Sequence, residues 1–197
     1  MNEKIRHLLD QMSALEDDLR REVQSQEASA LYTIKGKQIE FVAGVREMQR
    51  QFKTGFFRWL VAYRPQNLIT GPIIYSMIFP MLLIDLCLSF YQMTCFPIYG
   101  ITKVRRQDYM VFDRQQLGYL NVIEKFHCTY CAHGNGLMAY ATEIVGRTEE
   151  YFCPIKHAHK MLGAHSRYAR FLSYGDADNY AEKLEKFRVH LGQERPR

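Results

Sequence analysis

The sequence LITGPIIYSMIFPMLLIDLCLSFYQMTCFPIYGI, residues 68–101, decides the fold class of this chain. These 34 residues contain one Asp and no Lys, Arg or Glu. A helix needs about 20 apolar residues to cross a bilayer, so the block is too long for one simple span and short for two. We therefore predict a membrane segment over residues 67–101, either one long tilted span or a short, possibly re-entrant hairpin bent around Pro80.

Basic residues lie on both sides of this apolar block. They are Arg46, Arg50, Lys53, Arg58 and Arg64 before it, and Lys103, Arg105, Arg106 and Arg114 after it. Positive charge near a membrane segment marks the cytoplasmic side, so both flanks are expected in the cytoplasm, which favours the hairpin. Anionic lipid headgroups account for the net charge of +5. Nucleic acid is not expected as a partner, because no basic stripe is interleaved with exposed aromatics.

The start of the chain and its cysteines indicate a reducing compartment. Residues 1–18 are polar and lack the apolar core and cleavage site of a signal peptide, so the N-terminus is expected to begin in the cytoplasm. The five cysteines are an odd set, with Cys87 and Cys95 inside the apolar block, which is unlike a secreted disulfide framework. Reduced thiols and a bound metal fit better.

Asp85 is the one carboxylate within the block. A charge at membrane depth is costly, so such a residue usually faces protein, water or a substrate path. If the block breaks at Pro80, Asp85 instead lies near a turn or at the interface and needs no role. Both interpretations stay open.

Residues 1–30 are predicted to form an N-terminal helical segment. Apolar residues with the spacing of a heptad seam occur at Ile5, Leu8, Met12, Leu15 and Leu19. The helix is expected to run to about Val23, and residues 24–30 to form a loop or weak joint. The seam supports either self-association or packing on the chain's own later helices.

Residues 31–66 are predicted to continue as helix. The pattern is Ile39, Val42, Val45, Met48 and Phe52, followed by GFFRWLVAY at residues 55–63. Aromatic side chains among arginines, directly before an apolar block, favour a helix at the headgroup level of a bilayer.

Residues 102–197 are predicted to be a small cytoplasmic helical domain. A helix is expected over 113–126, a turn at His133–Gly136, a second helix over 137–152 and a last one over about 177–191. Pro154 is expected to open another helix, which places Cys153 and His157 on one face, a single helical turn apart.

The cysteines of this domain predict a metal site. Cys128 and Cys131 at a turn, with Cys153 and His157 on one helical face, supply three thiolates and one imidazole. Structural zinc takes such a set in tetrahedral geometry, with ligand pairs two to four residues apart. Iron is the second metal that these ligands suit. Other histidines near enough in sequence to replace His157 are His127, His133, His159 and His165.

Two other kinds of chemistry remain open. The pair Cys128-x-x-Cys131 is typical of thiol oxidoreductases and, beside a membrane, of exchange with a quinone. Glu124 and His127, with Glu143 and Glu149 or Glu150, suggest a di-iron site, although that class needs two Glu-x-x-His pairs and the chain has one. Glu143 and Arg147 have the spacing of an ordinary helix salt bridge.

Several motifs within Asp113–Gly175, about a third of the chain, carry a resemblance. They are Tyr119-Leu-Asn-x-x-Glu124-Lys-x-x-Cys128-x-Tyr-Cys131, Asn135-Gly136, Glu143-Ile144, Arg147-Thr148-Glu149 and Cys153-Pro-Ile-Lys-His157-Ala158. This set resembles a family of uncharacterised bacterial membrane proteins. The resemblance implies a bacterial, membrane-associated protein and carries no catalytic role.

The sequence therefore predicts an all-α, membrane-associated protein of the bacterial inner membrane, with its soluble parts facing the cytoplasm. A closed four-ligand site leaves no position for substrate, so a scaffold or interaction module with structural zinc is the first expectation. The alternative is a membrane-bound enzyme, either a Cys-x-x-Cys thiol/quinone oxidoreductase or an iron-dependent redox protein.

Overall fold

A computed structural model of the chain describes residues 3–35, 38–41, 44–53 and 65–194. The described residues are mostly helical, as expected for the all-α class. The helices are α1 (Glu3–Leu31), α2 (Val45–Gln51), α3 (Pro65–Ser76), α4 (Ile78–Ile98), α5 (Val122–Phe152) and α6 (Tyr180–Gln193), and the strands are β1 (Tyr32–Lys35) and β2 (Gln38–Phe41). Short 3-10 turns occur at Arg106–Asp108, Asp113–Gln116 and Ser166–Arg170.

The chain forms two compact units. The first contains the residues up to Met12, Leu82–Met110 and the residues from Gly136 onward, and the second contains Ser13–Met81 and Val111–Asn135. The long helices α1, α4 and α5 each contribute residues to both units.

Helix α1 is longer than the sequence pattern predicted. The loop expected over residues 24–30 is wrong, because the helix continues to Leu31. The segment QSQEASA contains no Gly or Pro, and its Gln, Glu and Ala residues have good helix propensity. The apolar seam therefore ends within the helix, and its end does not mark the end of the helix.

A β-hairpin replaces part of the helix expected after α1. Strands β1 and β2 pair antiparallel, from Tyr32 opposite Phe41 to Lys35 opposite Gln38. Alternating aromatic and β-branched residues favour this pairing over a helix. The predicted helix is thus confirmed only over α2. The interfacial helix expected at residues 55–63 lies outside the described residues.

The apolar block forms α3 and α4, which are separated by Met77 alone. The Met77 N–H donates to the Ile74 carbonyl at 3.3 Å, and the Met81 N–H donates to the Met77 carbonyl at 3.2 Å. Helical hydrogen bonding thus passes through the junction, whereas a helical hairpin needs a connection of about 2–5 residues. Residues 69–98 form one helix that is long and apolar enough to cross a membrane. Of the two alternatives for the apolar block, the hairpin bent around Pro80 is therefore wrong.

After α4 the chain reverses direction and runs back along the helix. Gly100 adopts a positive φ of 65°, which permits the reversal, and the Ile101 N–H donates to the Phe96 carbonyl at 2.9 Å. The Gln92 side chain then bonds the Val104 backbone in both directions, at 3.0 and 3.2 Å. We call residues 101–110 the return segment.

Helix α5 is continuous, so the turn predicted at His133–Gly136 is wrong. The helix starts with a capping box, in which Asn121 and Glu124 each accept a hydrogen bond from the other's backbone N–H. Gly136 serves packing instead of turning, since a Cβ at that position would lie 2.6 Å from the Tyr109 carbonyl oxygen.

The chain after α5 is extended. Ile155 forms an isolated parallel bridge with Leu172, supported by backbone hydrogen bonds of 2.8 Å from Leu172 to Pro154 and from Lys156 to Leu172. The helix expected from Pro154 is therefore wrong. The final helix is confirmed as α6. Fully buried side chains of the first unit are Phe96, Leu137, Tyr140, Ile144, Phe171 and Leu191.

Candidate functional site

The four predicted metal ligands lie in different units, Cys128 and Cys131 in the second and Cys153 and His157 in the first. Cys128 and Cys131 lie within the first third of α5, and Cys153 follows its last residue. Among the described residues, no group of three or more His, Cys, Asp or Glu is arranged to hold a metal ion. Zinc and iron stay predictions.

His157 and Cys153 also lose the helical alignment that paired them. The segment between them is extended, and the His157 backbone N–H donates to the Tyr168 hydroxyl at 2.6 Å. The His157 ring stacks on the Tyr168 ring with centroids 6.2 Å apart. All five cysteines are free thiols, and Cys131 and Cys153 are exposed.

Four charged side chains of the first unit gather around Arg167. Its guanidinium donates to Glu143 at 2.8 Å, to Glu150 at 2.6 Å and to Glu194 at 2.7 Å. Arg147 donates to Glu143 at 2.8 Å and to the Thr102 carbonyl at 2.6 Å. The Arg167 cluster consists of Arg147, Arg167, Glu143, Glu150 and Glu194.

The Arg167 cluster is largely withdrawn from water. The exposed fraction of the side chain is 12% for Arg167, 9% for Arg147 and 4% for Glu150. Burial of a charge is costly unless the charge is paired, and here each guanidinium binds at least one carboxylate. The three carboxylates exceed the two guanidiniums by one negative charge, and His190 lies 3.8 Å from Glu150 and 3.6 Å from Glu194.

The pairing changes the pKa values of the cluster. Burial raises the pKa of Glu143 and of Glu194, but the hydrogen bonds and charge of Arg167 outweigh it and hold both pKa values below the usual carboxyl range. The pKa of the nearby Tyr109 hydroxyl is raised by burial and by the negative charge of Glu143. Glu143 and Glu194 are thus held ionised.

A second buried pair lies beside the cluster. His165 Nε2 is 2.8 Å from Glu149 Oε2, and the His165 ring packs so closely on Gly146 that a Cβ there would lie 3.0 Å from it. The Phe171 ring covers His165, with centroids 5.3 Å apart. His165 Nδ1 is buried without a hydrogen-bond partner among the described residues. The ring is wedged between α5 and aromatic side chains.

This arrangement is suited to stabilising the fold. Arg167 uses both Nη atoms and Nε on carboxylates, so this one guanidinium joins residues of α5 to the end of α6. The i,i+4 pair of Glu143 and Arg147 was expected from spacing and is confirmed at 2.8 Å. Arg167 was missed, because it lies 24 residues from Glu143 in sequence and no local pattern links them.

The polarity of α4 is the other feature with functional consequences. Its buried residues are Asp85, Gln92 and Phe96. Asp85 pairs with Arg106, while Gln92 bonds Val104 and the Tyr140 hydroxyl. The large apolar side chains of α4 are exposed instead, among them Phe79, Leu82, Leu83, Leu86, Phe90, Met93 and Ile98. Helix α4 therefore turns its polar side chains inward and its apolar ones outward.

Comparison of the chain with family models, with curated proteins and with solved structures found no match.

We expect Arg167→Met to destabilise the protein by about 3–5 kcal/mol, because it leaves buried carboxylates without their cation. The matched control is Lys186→Met. Lys186 pairs with Glu182 on the exposed surface of α6, so its loss should cost less than about 0.5 kcal/mol. Thermal unfolding of detergent-purified variants, followed by circular dichroism, measures both. Equal midpoints would contradict a stabilising cluster.

The protein should also lose stability in acid. A carboxyl pKa held below its ordinary value of 4.5 stabilises the fold above that pH and loses this contribution as pH falls through the folded pKa. We expect the unfolding midpoint to drop steadily from about pH 5 to about pH 3. Arg167→Met removes the cause of the low pKa values, so its profile should be flatter. Profiles of the same shape would contradict this assignment.

Proposed function

We propose that this protein is a membrane-anchored scaffold or interaction module of the bacterial inner membrane, held through α3 and α4 with its polar parts facing the cytoplasm. The inverted polarity of α4 is the observation that carries the proposal. A helix that buries Asp85 and Gln92 while exposing its large apolar side chains is matched to a hydrocarbon surrounding.

The size of the exposed apolar surface supports a lipid surrounding. The exposed fraction is 61% for Leu83, 68% for Leu86, 61% for Phe90 and 77% for Ile98. Removing one such side chain from water is worth about 1.5–3 kcal/mol, so these four alone represent roughly 6–12 kcal/mol. Soluble monomers rarely expose an apolar surface of this extent. A bilayer covers it without a further protein.

Charge near the anchor supports the cytoplasmic side. Lys103, Arg105 and Arg106 are exposed on the return segment directly after α4. Basic residues close to a membrane segment favour the cytoplasmic leaflet, where anionic headgroups attract them.

A structural role accounts for the interior better than catalysis does. Arg167 holds all three carboxylates of the cluster in ion pairs, which a structural role explains directly. The thiol/quinone and iron-dependent alternatives rest on the cysteines alone and remain predictions, as does structural zinc at Cys128, Cys131, Cys153 and His157.

The exposed seam of α1 supports the scaffold role. The exposed fractions are 54% for Leu8, 56% for Met12, 68% for Leu15, 66% for Leu19 and 45% for Val23. The sequence left two possibilities for this seam: self-association, or packing on the chain's own later helices. Packing on those helices would bury the seam residues. Their exposure favours self-association through α1, which buries the seam against a second copy.

Substitution of the outward face of α4 should release the protein from membranes. A charged residue at membrane depth costs about 2.5–3.5 kcal/mol, so Leu86→Asp with Phe90→Asp should lower the membrane-bound to free ratio at least about 100-fold. The control is Val189→Asp with Tyr174→Asp, two exposed apolar residues outside α4. Flotation with lipid vesicles after alkaline carbonate washing separates bound from free protein. A wild-type protein that stays unbound, or equal binding of both variants, would refute the anchor.

A charge in the α1 seam should dissociate the self-associated protein. Leu15→Lys places an ammonium group in the seam, whereas Ala14→Lys adds the same charge to the neighbouring face. Light scattering of detergent-purified protein should give a multiple of the chain mass for wild type and Ala14→Lys, and the single-chain mass for Leu15→Lys. A monomeric wild type, or an unchanged mass in Leu15→Lys, would exclude association through α1.

A further inference from the structure

The return segment limits how α4 can be placed in a bilayer. Arg106 pairs with Asp85, and Val104 bonds Gln92, so extended chain accompanies α4 over the helical length from Ile98 back to Asp85. These 13 residues of helix correspond to ~20 Å. If α4 itself, Ile78–Ile98, were the part that crossed the bilayer, it would carry this segment about two thirds of the way through a hydrocarbon core of ~30 Å.

The charged side chains of the return segment conflict with a position so deep in the hydrocarbon. Lys103, Arg105 and Arg106 are exposed, and half of the Arg106 side chain, 51%, is open to the surroundings. Irregular backbone at membrane depth is tolerated only where protein buries it or where it lines water. One side of α4 is therefore a protein-covered, water-facing side, and only its other side suits lipid. This is the arrangement of a helix that lies in the membrane surface.

Helix α5 has the same inverted polarity, although its sequence is not continuously apolar. Its charged and imidazole side chains are all buried or half-buried: Glu124, Lys125, His127, His133, Glu143, Arg147, Glu149 and Glu150. Its exposed residues carry no charge at all, and they are Val122, Phe126, Cys131, Asn135, Met138, Ala139, Thr142, Val145 and Phe152. A helix exposed to water normally shows the reverse pattern.

Within the first unit, α5 packs beside α4. The Tyr91 hydroxyl lies 3.0 Å from the Thr148 hydroxyl, and the Tyr99 and Phe152 rings are 5.2 Å apart. Lipid fits the free face of α5 better than a protein partner does. A protein interface typically has a charged or polar rim, whereas the exposed face of α5 in the first unit, formed by Met138, Ala139, Thr142 and Val145, is uncharged, and the neighbouring Glu149 is paired with His165.

We infer that the protein is monotopic: α4 lies flat in the cytoplasmic leaflet without crossing the bilayer, and the uncharged face of α5 is a second surface that contacts acyl chains. The inference rests on the proposed membrane anchoring and specifies its geometry. The basic return segment then lies at headgroup level, where Lys103 and Arg105 meet anionic phosphates.

Cysteine labelling tests the geometry in a variant whose five native cysteines are replaced by serine and whose helix content is verified. Single cysteines are introduced as Gln66→Cys, before the apolar helix, and Lys103→Cys, after it. A membrane-impermeant maleimide should label both in inverted bacterial membrane vesicles and neither in right-side-out vesicles. Labelling of the two positions from opposite sides would establish a span and overturn the inference, while leaving the membrane anchor intact.

The face of α5 is tested with a matched pair of valines. Val145 on α5 and Val189 on α6 are exposed to 55% and 51%. In vesicles of phosphatidylethanolamine and phosphatidylglycerol, the cysteine of Val145→Cys should react with the maleimide at least about tenfold more slowly than the cysteine of Val189→Cys. In urea without detergent, the two cysteines should react at the same rate. Equal rates in these vesicles would overturn the lipid contact. Protection of Val145→Cys in native membranes but not in pure lipid would assign the face to a protein. Failure of the protein to bind vesicles would refute the anchor itself.

Discussion

The hydrogen bonds that Gln92 makes with both backbone groups of Val104 are the interaction on which the first unit depends. They satisfy a buried amide in the middle of an apolar helix and fix the register of the return segment. With the Asp85–Arg106 pair, they supply polar partners from the chain itself to the polar side of α4. Because the chain itself supplies these partners on one side of α4, the opposite side is left free to be entirely apolar.

Helix α5 also directs polar side chains into the first unit. Glu143, Arg147 and Glu150 point into the unit, where Arg167 neutralises the carboxylates and where Gly146 gives the His165 ring room to approach. Removing one partner from a buried ion-pair cluster is destabilising. The cluster therefore holds α5 against the 3-10 turn that carries Arg167 and against the end of α6. The consequence is a helix with its charges inside and an uncharged surface outside, as in α4.

The sequence predicted the helical class, the apolar helix and the final helix, because these depend on local composition and periodicity. It failed over residues 24–30 and at the β1–β2 hairpin, and also where glycine and cysteine residues allowed two interpretations. Gly136 was taken for a turn residue, but the close approach of the Tyr109 carbonyl requires it inside α5. Cys153 and His157 were aligned on a helix that the bridge between Ile155 and Leu172 replaces. The Arg167 cluster depends on contacts between distant residues, which periodicity does not encode.

The most direct test of the account is a spin-label scan of residues 82–98, one position at a time, in a cysteine-free protein bound to lipid vesicles. Oxygen partitions into hydrocarbon and reports lipid contact. Asp85 and Gln92 are left unlabelled, and we expect the collisions of oxygen with the label to peak at Leu83, Leu86 and Phe90, to be lowest at the half-buried positions Leu88, Ser89 and Cys95, and to repeat with about 3.6 residues per turn. High accessibility to a water-soluble nickel complex at Leu83, Leu86 and Phe90, or uniform oxygen accessibility around the helix, would contradict a helix with one lipid-facing and one protein-facing side.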